Sequence, residues 1–254
     1  DSSGEDTSSQ EDLSDIEDVN KPRCLSRPDL DLGNEDDRSL LPIGYACLTD
    51  NIHIADWLVK NGADIDKLDE YKGSALDYAC NLHFGTKGDP SLQIQMINWV
   101  LDKSINYINP TKHEDRGCFD QPLNSVCHMK KNSNFPEDEH YQLVERLLDL
   151  GADYNSWDHT EQYGLEETGN SVVVACANGH FEVVKLLLEK GANPNPIYKD
   201  PTEGNLQCFS IWTSIYNGRF NIANWLIDKL NINVKEKYPE NDTLFNKETT
   251  LLSA

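Results

Sequence analysis

The residues with most chemistry to offer in this 254-residue chain are seven histidines and seven cysteines. A helical zinc site needs two imidazoles one turn apart, and no histidine pair here has H-x-x-x-H or H-E-x-x-H spacing. No C-x-x-C pair occurs, so neither a zinc cluster nor a redox dithiol is indicated. Cys127 and His128 are neighbours, but consecutive helical residues point about 100° apart and cannot work as a nucleophile and its base. Phosphate-cradling and nucleophile-elbow glycine motifs are missing, and paired acids such as Asp36-Asp37 carry no signal on so acidic a chain. Cys118 is the best candidate for a reactive thiol, with an ordinary cysteine the favoured reading. No catalytic residue, metal site or cofactor is expected. The other residue class able to act is aromatic, and its worth depends on which elements present it.

Composition narrows the partners. Forty-four acids against 22 bases give a net charge of -22, with a pI near 4.5 and a mean hydropathy of -0.61. Nucleic acid is bound through Lys and Arg, and anionic membranes repel acidic chains, so both are disfavoured as partners. A basic protein would be attracted, although the acidity equally serves solubility. No apolar run approaches the ~18 residues of a membrane span. Residues 1–35 hold acids, Ser and Pro with few large apolar groups, and cannot bury enough surface to offset ordering entropy. They are expected to form a disordered acidic tail. Ser2, Ser3, Ser8, Ser9 and Ser14 each precede an acid by three residues, a pattern similar to acidophilic kinase sites and shared by any serine in an acidic run.

From residue 36 onward one pattern recurs. Asn178–Asn195 places Val183, Val184, Leu186, Leu187 and Leu188 on one broad helical stripe that stops at Gly191. The same ending returns at Trp57–Asp66 and Leu147–Asn155, and more weakly at Trp99–Ser104 and Trp225–Leu230. Upstream of each ending lies a short apolar segment, at Pro42–Cys47, Ala75–Cys80, Pro122–Cys127, Ser171–Cys176 and Ser210–Ile215. The anchors Ile43, Leu76, Leu123, Val172 and Ile211 are 33, 47, 49 and 39 residues apart.

These units resemble degenerate ankyrin repeats, whose period is about 33 residues. The resemblance implies an all-α solenoid of inner and outer helices joined by inter-repeat hairpin loops, with about five repeats plus a truncated sixth over 36–254. Extra residues fall between inner and outer helices near Leu82–Leu92 and Met129–Glu139. Others fall in the hairpins near Asn106–Gln121, Asn155–Asn170 and Asn195–Phe209. Glu248–Ala254 again looks like an inner-helix start, so the sequence is expected to be part of a longer protein. Cys47, Cys80, Cys127 and Cys176 share one small buried slot, about a repeat apart and too distant for disulfides. Trp57, Trp99 and Trp225 share an outer-helix slot and are expected in the core. His180 matches the Gly-His turn of the family, which implies a hydrogen bond to the backbone of its own turn.

The resemblance further implies protein recognition by the hairpin fingers and the concave inner-helix face. Candidate partner-binding residues are Tyr45 and Tyr78 on inner helices and Tyr71, Tyr107, Phe119, Trp157, His159, Tyr163 and Tyr198 on fingers. Asp158, Glu161, Glu166 and Glu167 would flank them and steer a basic partner. The expected function is an intracellular, cytoplasmic or nuclear, adaptor or scaffold. The alternatives are an inhibitor masking a basic partner in the manner of NF-kappa-B inhibitors, and the recognition region of a larger pathogen effector or enzyme.

Overall fold

The computed structural model describes residues 20, 23–24, 39–70, 72–80, 89–109, 121–156, 169–200, 204–207 and 210–230. Its helices come in pairs. The inner members are α1 (Pro42–Leu48), α3 (Ala75–Cys80), α5 (Pro122–Cys127), α7 (Ser171–Asn178) and α9 (Ser210–Tyr216). The outer members are α2 (Ile52–Lys60), α4 (Pro90–Lys103), α6 (Glu137–Asp149), α8 (Phe181–Glu189) and α10 (Phe220–Leu230). Each inner helix packs on its own outer helix and on the next inner helix, while α4, α6, α8 and α10 pack in series. This is the all-α ankyrin-type array anticipated from the repeats.

Local chemistry sets the boundaries. Pro42, Pro90 and Pro122 open α1, α4 and α5, where a missing N–H costs nothing. Asn51 and Asn170 cap α2 and α7 by accepting from the backbone N–H of Ile54 and Val173. Three outer helices end in the same way. At Gly191 the chain turns left-handed, φ +99°, and Ala192 N–H returns to the Leu187 carbonyl at 2.9 Å. Ala63 to Leu58 (2.9 Å) and Ala152 to Leu147 (3.0 Å) repeat that bond. The Gly-Ala signature in the sequence is therefore a helix stop.

One continuous core runs through the pairs. Leu58, Val100, Leu147, Leu187 and Leu226 stand at equivalent positions of the outer helices and are all buried. Burying such a side chain is worth roughly 1.5–3 kcal/mol. Cys47, Cys80, Cys127 and Cys176 are buried free cysteines, as the periodic slot requires. The tryptophan slot needs correction. Trp99 and Trp225 are partly buried against the core, but Trp57 is 36% exposed. Trp225 meets Phe181 of the preceding outer helix with ring centroids 5.8 Å apart, whereas on α2 both Ile54 and Trp57 are exposed.

Two short antiparallel ladders accompany the helices. β3 (Ile197–Asp200) pairs with β4 (Gly204–Gln207), forming a hairpin finger between α8 and α9. β1 (Arg23–Cys24) pairs with β2 (Ser39–Leu40) just ahead of α1. Of the segment expected as a tail, Asn20 and β1 are described, and both contact the array. Leu82–Gly88, Cys118, the part of the Asn155–Asn170 extension from Trp157 to Thr168, and the proposed sixth repeat lie outside the described residues.

Candidate partner-docking surface

Tyr45, on α1, is partly buried against the core and keeps part of its surface. Tyr78 requires correction as a docking residue. It is 2% exposed, and its hydroxyl donates to the Asp69 carboxylate. Asp69 in turn accepts from Gly73 N–H at 2.8 Å, and between them Lys72 adopts φ +61°. Tyr78 thus pins the tip of the first finger from beneath. Gly44 makes room for it: a Cβ there would sit 2.8 Å from the Tyr78 ring. A sequence pattern cannot separate an inner-helix tyrosine that faces the groove from one directed under the finger.

Tyr107 is half-buried, and its hydroxyl donates to the Asp66 backbone carbonyl at 3.0 Å. It ties the second finger to the first. Tyr198 belongs to β3, which places its backbone on the third described finger. Tyr71, Phe119, Trp157, His159 and Tyr163 lie outside the described residues, as do Asp158, Glu161, Glu166 and Glu167. Among the described residues the candidate set is thus reduced to Tyr45, Tyr107 and Tyr198.

The fingers are held in register by a clamp that motif reading missed. Asn109, which closes the second repeat, donates its Nδ2 to the Gly151 carbonyl at 2.6 Å and accepts from Asp153 N–H at 2.7 Å. Asn155 closes the third repeat and accepts from Asn193 N–H at 3.0 Å. Asp66 closes the first, accepting from Asn106 Nδ2 at 2.8 Å and from the Ser104 hydroxyl. The first three repeat ends are thereby bonded to the turn of the next. The recurrent Asn or Asp two or three residues after Asp64, Asn106 and Asp153 was the available signal.

A second series stands at the start of the outer helices, where Asn51, Gln93, His140, His180 and Arg219 are equivalent. Gln93 donates to the Ala79 carbonyl (3.1 Å), and Arg219 Nε donates to the Ala177 carbonyl (3.2 Å). His140 Nε2 lies 2.9 Å from the Val126 carbonyl. His180 Nε2 lies 2.6 Å from the Met129 carbonyl, 51 residues back. That corrects the expectation of a bond within its own turn: the imidazole reaches the preceding repeat. A carbonyl only accepts, so Nε2 carries the proton in both rings. Each Nδ1 is buried without a hydrogen-bond partner among the described residues.

The two rings stack with centroids 4.2 Å apart, and Phe135 closes on them at 5.0 and 5.2 Å. Burial holds His140 down at about 4 and depresses His180 further, the neighbouring imidazole adding to the effect. Both are neutral packing groups at physiological pH. Burial also pushes the Cys176 thiol up to about 12 and raises Cys127 well above the usual thiol range. Thiols held protonated are poor nucleophiles. Among the described residues no group of three His, Cys, Asp or Glu is placed to hold a metal ion. Nor is any helix there long and apolar enough to cross a membrane.

Helices packed in pairs, Gly-Ala stops, a hairpin between α8 and α9 and a clamp from repeat to repeat define an ankyrin-type array. Residues 136–238 match the family model for ankyrin repeats (3 copies), and this stretch is an ankyrin-repeat array. The helix pairs α1/α2 and α3/α4 extend the same architecture ahead of it. No curated protein matches the chain. Ankyrin repeats generally mediate protein–protein interaction and are typically non-enzymatic.

Proposed function

We propose that the chain is an adaptor or scaffold module that binds a protein partner through its hairpin fingers and the concave inner-helix face. The observation that carries this reading is the ankyrin-repeat match over 136–238. The fold class alone leaves the partner open, so the site must be argued from residues. Tyr45 contributes from α1, and Tyr71, Tyr107, Phe119, Trp157, His159, Tyr163 and Tyr198 contribute from the fingers. Tyr78 is reassigned to support of the first finger, because a buried ring cannot meet a partner. Large aromatics are the residue type that dominates interface hot spots. The partner is a protein rather than a nucleic acid or a membrane, and the setting is intracellular.

The test couples binding to stability. The wild-type array captures its partner from cell extract, and the purified complex is titrated against Tyr45→Ala, Trp157→Ala and Tyr163→Ala. Each site residue is expected to weaken binding by roughly 1–4 kcal/mol and leave melting almost unchanged. If all three bind like wild type, the concave site is wrong. The net charge of -22 favours a second reading, an inhibitor that masks a basic partner. Its complex would weaken steeply between low and high salt, whereas an apolar adaptor interface would not.

A further inference from the structure

The loop between α5 and α6 is the longest fully described connection between an inner helix and its outer helix. His128–Pro136 separate the two, whereas Thr49–Asn51, Gly179–His180 and Asn217–Arg219 suffice in the first, fourth and fifth repeats. Lys130–Asn134 are exposed, yet the two ends of the loop are seated, with Met129 and Phe135 both buried. The imidazole pair seats them. His180 Nε2 donates to the Met129 carbonyl, His140 Nε2 donates to the Val126 carbonyl in the last turn of α5, and the Phe135 ring lies against both imidazoles. One histidine of the third repeat and one of the fourth therefore hold the same loop.

The equivalent positions elsewhere are chemically different. Asn51 and Gln93 do not ionise, and Arg219 keeps its charge at every accessible pH. Histidine alone changes charge between pH 5 and 8 when unperturbed. Along this series the titratable residues thus fall together, at the boundary between the third and fourth repeats.

The closed joint has no place for an added proton. Both Nε2 atoms already carry one, so a second must enter at Nδ1, which in each ring is buried without a hydrogen-bond partner among the described residues. An unpaired charge in such a place is costly. Lys131 on the loop and Arg219 ahead of α10 would repel it. Glu137 on α6 would attract it, but its carboxylate is already bonded to Lys131 at 2.7 Å. Asp138 and Glu139 on α6 are exposed, Glu182 on α8 is bonded to Lys185, and His128 at the end of α5 adds no negative charge. With the rings 4.2 Å apart, a charge on one also opposes a charge on the other. Opening the loop returns both imidazoles to water, where each takes up a proton near pH 6.5.

We propose that this joint is an acid-operated latch: uncharged His140 and His180 hold the loop Met129–Pro136 on the array, and their protonation releases the loop and loosens the boundary between the third and fourth repeats. Release uncovers Met129 and Phe135, the two apolar side chains that the latch keeps from water. Acid thereby acts first at one internal joint and leaves the other helix pairs closed.

Amide hydrogen exchange on the full chain between pH 7 and 5, corrected for the intrinsic pH dependence of exchange, tests this. The Met129, Phe135 and His140 amides, bonded to Val126, Asn132 and Pro136, report on the loop, and those of Ile97 and Val100 in α4 report on the rest of the array. Below pH 6.5 protection of the loop amides is expected to fall by up to ~100-fold per pH unit, the signature of two protons taken up on opening. The α4 amides should remain at least ~100-fold better protected throughout. Gln93 shows that a carboxamide can donate to the inner-helix carbonyl from this position. His140→Gln should therefore reduce the dependence to ~10-fold per pH unit, and His140→Gln with His180→Gln should abolish it. Loop protection that does not change with pH in the wild type overturns the proposal. So does a loop that shares one protection factor with α4 at every pH, because the opening is then global. A double variant as pH-sensitive as the wild type overturns it equally, since other groups would then be taking up the protons.

Discussion

The junction between α6 and α8 and the outer flank of α2 carry the same repeat positions and differ in almost every physical respect. At the junction Leu143, Leu147, Val183 and Leu187 are buried, and two imidazoles stack across the repeat boundary. On α2 the equivalent Ile54 and the adjacent Trp57 are exposed, and an asparagine replaces the histidine. The difference teaches that a repeat position has no fixed burial of its own. In a solenoid the core at any position is made by the neighbour, so stability is a sum of repeat and interface contributions.

The comparison breaks most visibly under core truncation. Leu147→Ala or Leu187→Ala is expected to cost about 2–5 kcal/mol, as cavity-forming leucine substitutions do. Ile54→Ala and Trp57→Ala are each expected to cost less than about 1.5 kcal/mol, because half or a third of those side chains is already in water. Urea unfolding followed by far-UV circular dichroism separates the two groups. Trp57→Ala costing as much as Leu147→Ala would place Trp57 in a covered interface.

Acid sharpens the same contrast. A neutral, buried histidine takes up no proton as pH falls below 6.5, while the unfolded chain does. The native state then binds fewer protons, so stability is intact above pH 6.5 and falls below it, by up to about 1.4 kcal/mol per pH unit for each such histidine. The loss continues until the native His140 begins to protonate, near pH 4. Lys131 and Arg219 oppose protonation at this junction and Glu137 favours it, each more weakly than burial. His140→Gln should flatten the stability profile between about pH 6.5 and 4.5 relative to wild type. An unchanged slope would mean that His140 titrates normally.

The smallest effect concerns the clamp. Asn109→Ala removes two exposed hydrogen bonds and should cost about 1 kcal/mol. It should also speed exchange of the Asp153 amide, which donates to Asn109. Loss of exchange protection without measurable loss of stability would still separate the clamp from the core.

Much of the fold was legible because apolar spacing is periodic and three of the repeats write their own stops. The Gly-Ala endings and the four-cysteine slot follow from local geometry and from the need for small buried residues. The candidate site was less legible. Tyr45 and Tyr78 are both inner-helix tyrosines, and only the path of the first finger decides that Tyr78 lies beneath it, bonded to Asp69. The tryptophans were grouped by register, which is correct, and assigned a common burial, which Trp57 contradicts.

The sequence by itself determined the helix pairs, their stops, the order of the repeats and the acidic charge. All of these depend on contacts within a few residues or on composition. The tertiary structure alone decided which equivalent residues are covered, where the imidazoles of successive repeats meet, and that Asn20 is bonded to a turn 42 residues away. The physical reason is that burial and long-range hydrogen bonds belong to pairs of repeats, and a single repeat's sequence does not say what lies beside it.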